Sequence, residues 1–265
     1  MKYLKTRLIL LFRIFIRLIA NTSKALSYVF HLVLPKKRFS LPSHSPAWIK
    51  SKRESKVPKT IWQTNFTQNV TLPVYLNYLF NRLMAPDYDY RFMVTQDREI
   101  FIKENFSEDI HKAYSKLQIG ASQADFWRIL VLYKLGGVYM DIDAHLIRPL
   151  GVVINEHQHE IYLKIKTGEI SNYFIASAPA NPLLEKIIKQ IIKNIEENSI
   201  KNVYDLTGPG VFNTVIDINS VETAYYRETC NQGSFTNEYF QYIDKPQGKW
   251  TKEQQKVELV KSADD

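Results

Sequence analysis

The stretch SQADFWRILVLYKLGGVYMDIDAH, residues 122–145, decides the reading of the fold. Ser122 with Asp125 three residues on has the form of a capping box, which predicts a helix starting there. Phe126, Ile129, Leu130 and Tyr133 recur at helical spacing, and Gly136-Gly137 supply a left-handed stop. Val138, Tyr139 and Met140 then read as a short buried strand that delivers Asp141-Ile142-Asp143 at its C-terminal end. Side chains alternate along an extended segment, so Asp141 and Asp143 are expected on one face and Ile142 on the other. Two carboxylates at the open end of an α/β sheet form a hard oxygen site suited to Mn²⁺ or Mg²⁺. Such an ion is useful where a polyphosphate must be held and its developing charge neutralised.

At 265 residues the chain has room for one substantial α/β core with an appendage. The formal charge of +8 is unevenly spread. Residues 1–56 carry 13 Lys/Arg against the single acid Glu54, or +12, and the remainder carries 22 against 26, or −4. A basic arm on a mildly acidic body points to anionic lipid as the arm's partner and argues against a nucleic-acid groove on the body. Cys230 is the only cysteine, so no disulfide framework forms within one chain.

Outward from the central stretch, Leu8–Ala20 (LILLFRIFIRLIA) is apolar apart from Arg13 and Arg17. On a helix, Lys2, Thr6, Arg13, Arg17 and Lys24 fall in one narrow stripe. This predicts an amphipathic arm over residues 1–34 lying in a membrane interface, with a tilted span or uncleaved signal anchor as the rival. Packing of the arm on its own domain leaves that stripe without a purpose. Pro35–Lys56 is rich in Pro, Ser and Lys and reads as a basic linker. The body, residues 57–250, opens with a strand at Lys59–Thr64. A helix over Leu72–Met84 has Pro73 in its first turn, and a strand over Tyr90–Thr95 follows, with Asp97 capping the next helix. Strands are expected at Ile161–Ile165 and Tyr173–Ser177, and a helix from Asn181-Pro182 to about Glu197. Thr207–Gly210 is a tight turn, Tyr239–Ile243 a last strand, and residues 251–265 a polar tail, either surface helix or frayed. Strands alternating with helices favour a mostly parallel sheet, whose ligands sit outside the strands' C-terminal ends.

A bare Asp-x-Asp is common by chance, and its ordinary role is a solvated turn. Here the context is Ala124-Asp125, Arg128, Tyr133, Gly136-Gly137-Val138-Tyr139 and Asp141-Ile142-Asp143. That combination resembles glycosyltransferase family 32, the DXD sugar-binding region found in fungal Golgi mannosyltransferases and in bacterial capsule and lipooligosaccharide transferases. The likeness runs more loosely from Val57 to about Trp250 and omits the arm. It implies a GT-A type nucleotide-sugar transferase fold, a Rossmann-like sheet flanked by helices. The activity it implies is a metal-dependent, retaining transfer of a hexosyl group from a nucleotide-sugar to a glycan or lipid-linked acceptor.

By the same resemblance Asp143 is the direct ligand of a divalent ion, usually Mn²⁺, and Asp141 contacts the donor and helps hold the ion. Asp125 and Arg128 fall where the family grips donor hydroxyls; helix cap and ion pair are their local alternatives. Val57-Pro58-Lys59-Thr60-Ile61-Trp62-Gln63 resembles the family's opening strand, where Trp62 either stacks on the base or belongs to the core. Asn172 and the turn containing Gly208 match segments near the donor. Relatives end in a His-containing segment followed by Ser-Trp; here Gln247-Gly248-Lys249-Trp250 stands there, with Lys249 as a cationic clamp and Trp250 in the tryptophan's place. His145 falls on the metal side only if the strand continues; an outer or surface role competes. The cell location implied is a membrane surface, either the cytoplasmic face of a bacterial inner membrane or, as a type II protein, the Golgi. A non-catalytic nucleotide-sugar-binding protein and a DxD phosphatase are the competing readings.

Overall fold

The computed structural model describes residues 2–261, with side chains from Arg7 onward. The arm is one long helix, α1 (Lys2–Val33), followed by two short strands, β1 (Phe39–Ser40) and β2 (His44–Ser45). The body opens with β3 (Thr60–Thr64) and β4 (Asn69–Val70), then α2 (Leu72–Met84), β5 (Asp89–Met93), α3 (Thr95–Asn105) and α4 (Glu108–Lys116). Next come α5 (Gly120–Leu135), β6 (Gly137–Met140), β7 (Ala144–Leu146) and the short α6 (Leu150–Val153). Strands β8 (Glu160–Lys164) and β9 (Ile170–Ser177) lead to α7 (Pro182–Glu197), α8 (Val203–Leu206) and α9 (Pro209–Val215). The chain closes through β10 (Thr223–Tyr225), α10 (Tyr226–Thr229), β11 (Cys230–Gln232), α11 (Glu238–Tyr242) and α12 (Trp250–Glu253).

The central sheet has seven strands in the order β10-β8-β9-β6-β3-β5-β2. Its pairings make β10, β8, β6, β3 and β5 run one way, with β9 and β2 reversed. The sheet is therefore mostly parallel, and the C-terminal ends of β3 and β6 open on the same edge as the start of the reversed β9. Period-2 alternation divides the core into two layers. Trp62, Tyr139, Tyr162 and Ile175 point to the side covered by α5 and α7. Ile61, Val138, Met140, Ile161, Phe174 and Ala176 point to the side covered by α2.

Local chemistry accounts for the helix ends. Helix α7 is capped by Asn181, whose Oδ1 accepts the Leu183 N–H at 2.9 Å, and it ends at Asn198 in the left-handed region at φ 46°. Its stripe of Leu184, Ile187, Ile188, Ile191 and Ile195 is buried, each side chain contributing about 1.5–3 kcal/mol. Asp97 caps α3 by accepting the Val94 N–H at 3.2 Å. At the α5–β6 junction, Gly136 and Gly137 have φ of 66° and 109°. A Cβ on Gly137 would stand 2.7 Å from the Thr60 carbonyl, so both conformation and proximity require glycine there.

Several expectations need correction. Helix α5 starts at Gly120, not Ser122. Ser122 is fully buried with its Oγ unpaired, and Asp125 turns inward, so tertiary partners displace the capping box. Asp141–Asp143 is not extended: the strand stops at Met140 and the Ala144 N–H bonds the Asp141 carbonyl at 2.9 Å, closing a turn. Tyr239–Ile243 is helical, because Asn237 Oδ1 accepts the Phe240 N–H and caps α11. The stretch 35–56 is more than a linker, since β1 pairs with β4 and β2 extends the sheet edge beside β5. The tail is not free either: Leu259 and Val260 are buried, and Val260 bridges Leu117. Residues 262–265 lie outside the described residues.

Helix α1 packs on the body through Ile16 and Ala20, which meet Ile147 and Phe235. The described part of its cationic stripe, Arg13, Arg17 and Lys24, faces the body, while the opposite face is apolar and exposed. The side chains of Lys2 and Thr6 lie outside the described residues. Among the described residues no helix is long and apolar enough to cross a membrane.

Candidate active site at the sheet edge

The C-terminal edge of β3 and β6 opens into a cavity of about 330 Å³. The turn that carries the two aspartates is braced from three sides. Gln63, at the end of β3, donates to the Asp141 carbonyl at 3.0 Å and accepts from the buried Tyr90 hydroxyl at 3.1 Å. The Asp141 N–H bonds the Tyr173 carbonyl at 2.9 Å, which ties the turn to β9. From α2, Asn77 Nδ2 reaches the carbonyls of Ile142 at 2.8 Å and Ala144 at 3.0 Å, and Asn81 Nδ2 reaches Ala144 at 2.8 Å. These carboxamides satisfy backbone groups that have left the sheet ladder.

The turn still brings both carboxylates to one place. Gln232 Nε2, at the end of β11, donates to Asp141 Oδ2 at 2.8 Å and to Asp143 Oδ1 at 3.2 Å. Asp143 Oδ2 also accepts from Gln241 Nε2 of α11 at 3.1 Å, and Asp141 Oδ1 accepts from the Tyr139 hydroxyl at 2.7 Å. Burial first and the neighbouring Asp141 second push the Asp143 carboxyl up to about 6, against the hydrogen bonds from Gln241 and Gln232.

Arg128 is the centre of a second, drier cluster. Its Nη2 lies 2.9 Å from Asp125 Oδ1 and 3.3 Å from Asp141 Oδ1, its Nη1 donates to the Asn172 carbonyl at 2.8 Å, and its guanidinium sits 4.3 Å from the Tyr139 ring centroid. Asp125 accepts further from Asn172 Nδ2 at 2.9 Å and Thr207 Oγ1 at 3.4 Å. Burial raises the Asp125 carboxyl to about 6, with Arg128 opposing and Asp141 adding to the rise.

Of the sequence-predicted residues, Asp125, Arg128, Asp141, Asp143, Asn172 and Trp250 all line the cavity. Gln63 supports the turn from behind. Trp62 is a core residue: its Nε1 donates to the Gly136 carbonyl at 2.9 Å and its ring meets Trp127 edge-on. Lys249 is outside the cavity and pairs with Glu238 at 3.3 Å; besides Arg128, the cations that line the cavity are Lys245, paired with Glu253 at 2.7 Å, and Arg98. Gly208 is a packing glycine, its missing Cβ 2.9 Å from the Tyr204 carbonyl, although its neighbours Thr207 and Pro209 reach the site. His145 is neither ligand nor surface residue. It is fully buried against Phe80 and Phe235, and burial lowers it to about 4. Gln232, Gln241, Arg98 and Lys245 carry no local motif and went unread, since only the long-range return of the chain brings them here.

The site fits a divalent ion on chemical grounds. Asp143 has two carboxamide contacts and, among the described residues, no cation in ion-pair range, so its charge lacks a counterpart. Among the described residues no third His, Cys, Asp or Glu joins the pair.

Comparison with known proteins accords with this arrangement. Residues 73–160 match the family model described as the glycosyltransferase sugar-binding region containing DXD motif. The chain is 24% identical over 223 residues to the initiation-specific alpha-1,6-mannosyltransferase of Schizosaccharomyces pombe, covering 70% of this chain and 52% of that protein. To the protein of the same name in Candida albicans it is 25% identical over 229 residues, covering 69% and 60%. It therefore spans little more than half the length of these relatives. Among solved structures, the PaToxG glycosyltransferase superposes with a TM-score of 0.50 at 19% identity, over 76% of this chain and 78% of that one. With the DXD region at the open edge of a mostly parallel sheet, the chain is similar to these DXD-containing glycosyltransferases and has a GT-A type fold.

Proposed function

We propose that the protein transfers a hexosyl group from a nucleotide-sugar to a glycan or lipid-linked acceptor at a membrane surface, in the assembly of a surface polysaccharide, with retention of anomeric configuration and with Mn²⁺ or Mg²⁺ bound. The observation that carries this reading is the convergence of Asp141 and Asp143 on Gln232, beside the buried Asp125–Arg128 pair. Asp143 and Asp141 would hold the ion, which supplies positive charge next to the donor diphosphate. Asp125, fixed by Arg128, Asn172 and Thr207, presents acceptor atoms for sugar hydroxyls. Arg98 and Lys245 bring cations to the same cavity, and Trp250 offers an apolar face.

In the reaction the bond from the anomeric carbon to the diphosphate oxygen breaks with its electron pair on oxygen. The acceptor oxygen forms the new bond on the face the diphosphate leaves, and its proton passes to the departing phosphate oxygen. Retention is what the family resemblance implies, and a direct front-face route to it needs no carboxylate nucleophile. The three carboxylates that line the cavity, Asp125, Asp141 and Asp143, are each engaged in hydrogen bonds, and none stands free as a nucleophile. The names of the relatives make a mannosyl donor the first to test. Donor turnover across the common nucleotide-sugars with Mn²⁺, read by NMR of the released sugar and product linkage, tests the reading. Cleavage of one donor with retained configuration is expected; no turnover of any donor, with or without Mn²⁺, would overturn it.

A further inference from the structure

A second cavity, of about 500 Å³, lies between α1 and the segment Asn231–Ser234. It adjoins the DXD cavity, since Tyr173 and Gln232 line both. Gln232 joins this groove to the side chains of the aspartates, with its Nε2 2.8 Å from Asp141 and 3.2 Å from Asp143.

One wall of the groove is cationic. Arg13, Arg17 and Lys24 come from one helical stripe of α1. Among the described residues none of the three pairs with a carboxylate. Lys24 Nζ donates to the Gly233 carbonyl at 3.1 Å, and Arg13 Nε is buried with no hydrogen-bond partner. Burial, Arg227 and Arg17 all lower the affinity of Arg13 for its proton, the mark of positive charges held together without a counter-charge. Like charges gathered in a cleft and left unneutralised raise the local concentration of anions, and arginine pairs with phosphate oxygens through two parallel bonds. Elsewhere in the lining, Asn21, Tyr226, Asn231 and Ser234 carry side chains able to donate hydrogen bonds.

The opposite face of the same helix says where the anion comes from. Leu11, Ile14, Leu18, Leu26, Val29 and Leu32 are each more than half exposed. They form an apolar stripe about 30 Å long at 1.5 Å per residue. An apolar helix face beside a cationic groove is the arrangement of a lipid interface, with chains on one side and headgroups on the other.

We propose that this groove is the acceptor site and that it takes a phosphate group carried on a lipid headgroup. The acceptor role rests on the donor reading of the DXD cavity; phosphate binding does not. Full-length protein is floated with phosphatidylcholine vesicles, with and without phosphatidylinositol, and its melting temperature is followed with glycerol 3-phosphate after saturation with nucleoside diphosphate and Mn²⁺. Preferential flotation with phosphatidylinositol is expected, weakened roughly tenfold for each arginine removed in Arg13→Gln/Arg17→Gln. The double variant removes two uncompensated charges and should melt no lower than the wild type. The exposed Arg17→Glu, which disturbs no packing, is the second variant and should also lose the preference. Equal flotation of wild type and both variants would overturn the proposal. Response to glycerol 3-phosphate alone, abolished by Arg17→Glu without any vesicle preference, would overturn the lipid assignment. A nucleoside diphosphate with Mn²⁺ that leaves the melting temperature unchanged defeats the donor reading separately, and the vesicle result is read independently of it.

Discussion

Arg128 touches Asp125, Asp141, the Asn172 carbonyl and the Tyr139 ring, and it is almost wholly buried. Removing it leaves Asp125 and Asp141 facing each other with no cation between them. Arg128→Met should lower unfolding free energy by about 3–5 kcal/mol, and Asp125→Asn in that background should restore part of the loss. Chemical denaturation of wild type, Arg128→Met, Asp125→Asn and the double variant reads the coupling. His145 gives a second test at this scale. Its folded value near 4 lies below the unfolded value of about 6.5, so the unfolded chain binds the extra proton between those limits and stability falls as pH drops through them. Asp125 and Asp143, raised to about 6, act in the opposite sense, so the informative quantity is the difference from a variant. His145→Leu should become more stable relative to wild type by about 2 kcal/mol on going from neutral pH to pH 5, measured by denaturant titration at each pH. The acids and Arg128 were legible because they lie in one contiguous stretch. Gln232 and Gln241 were not, because carboxamides in unremarkable segments acquire meaning only when the chain returns to pair β11 with β7 beside the turn.

At the scale of elements, the junction of α5 and β6 sets where the turn lies. Gly137→Ala places a Cβ against the Thr60 carbonyl at φ 109°. The backbone conformation alone should cost roughly 1–3 kcal/mol, before the steric clash is counted. The melting temperature should fall by about 2–4 °C for each kcal/mol lost, and a scan of the variant checks it. Helices α2 and α7 were readable almost to the residue, because proline or asparagine at the start and a strong apolar period agree with their tertiary placement. The expected period-2 placement of Asp141 and Asp143 reached the right convergence by the wrong geometry. A turn braced by Asn77, Asn81 and Gln63 does what strand alternation was expected to do. Helix α11 was misread as a strand since four of its five residues are aromatic or amide-bearing, and only the Asn237 cap marks it as helical.

For the whole molecule, the uneven charge takes on a spatial meaning. The arm's arginines turn toward the body and line a groove beside the aspartates, and its apolar side faces outward. The sequence shows the stripe but not its target, since Ile16 and Ala20 differ little in character from the exposed leucines around them. Docking depends on that small contact. Ala20→Trp, at a fully buried position against Ile147 and Phe235, should overpack it and lift α1 from the body. Limited proteolysis should then cut within residues 34–56 faster than in wild type, while the two larger core layers keep the sheet resistant.

The central claim is that Asp141 and Asp143 hold a divalent ion against a donor diphosphate. Electron paramagnetic resonance of Mn²⁺ reads this directly, because the signal of free Mn²⁺ declines as the ion is bound. With wild type and a nucleoside diphosphate, the free signal should drop well below that of the diphosphate alone, and Asp143→Asn should abolish the extra loss. Equal signals from the wild type and Asp143→Asn would contradict the account.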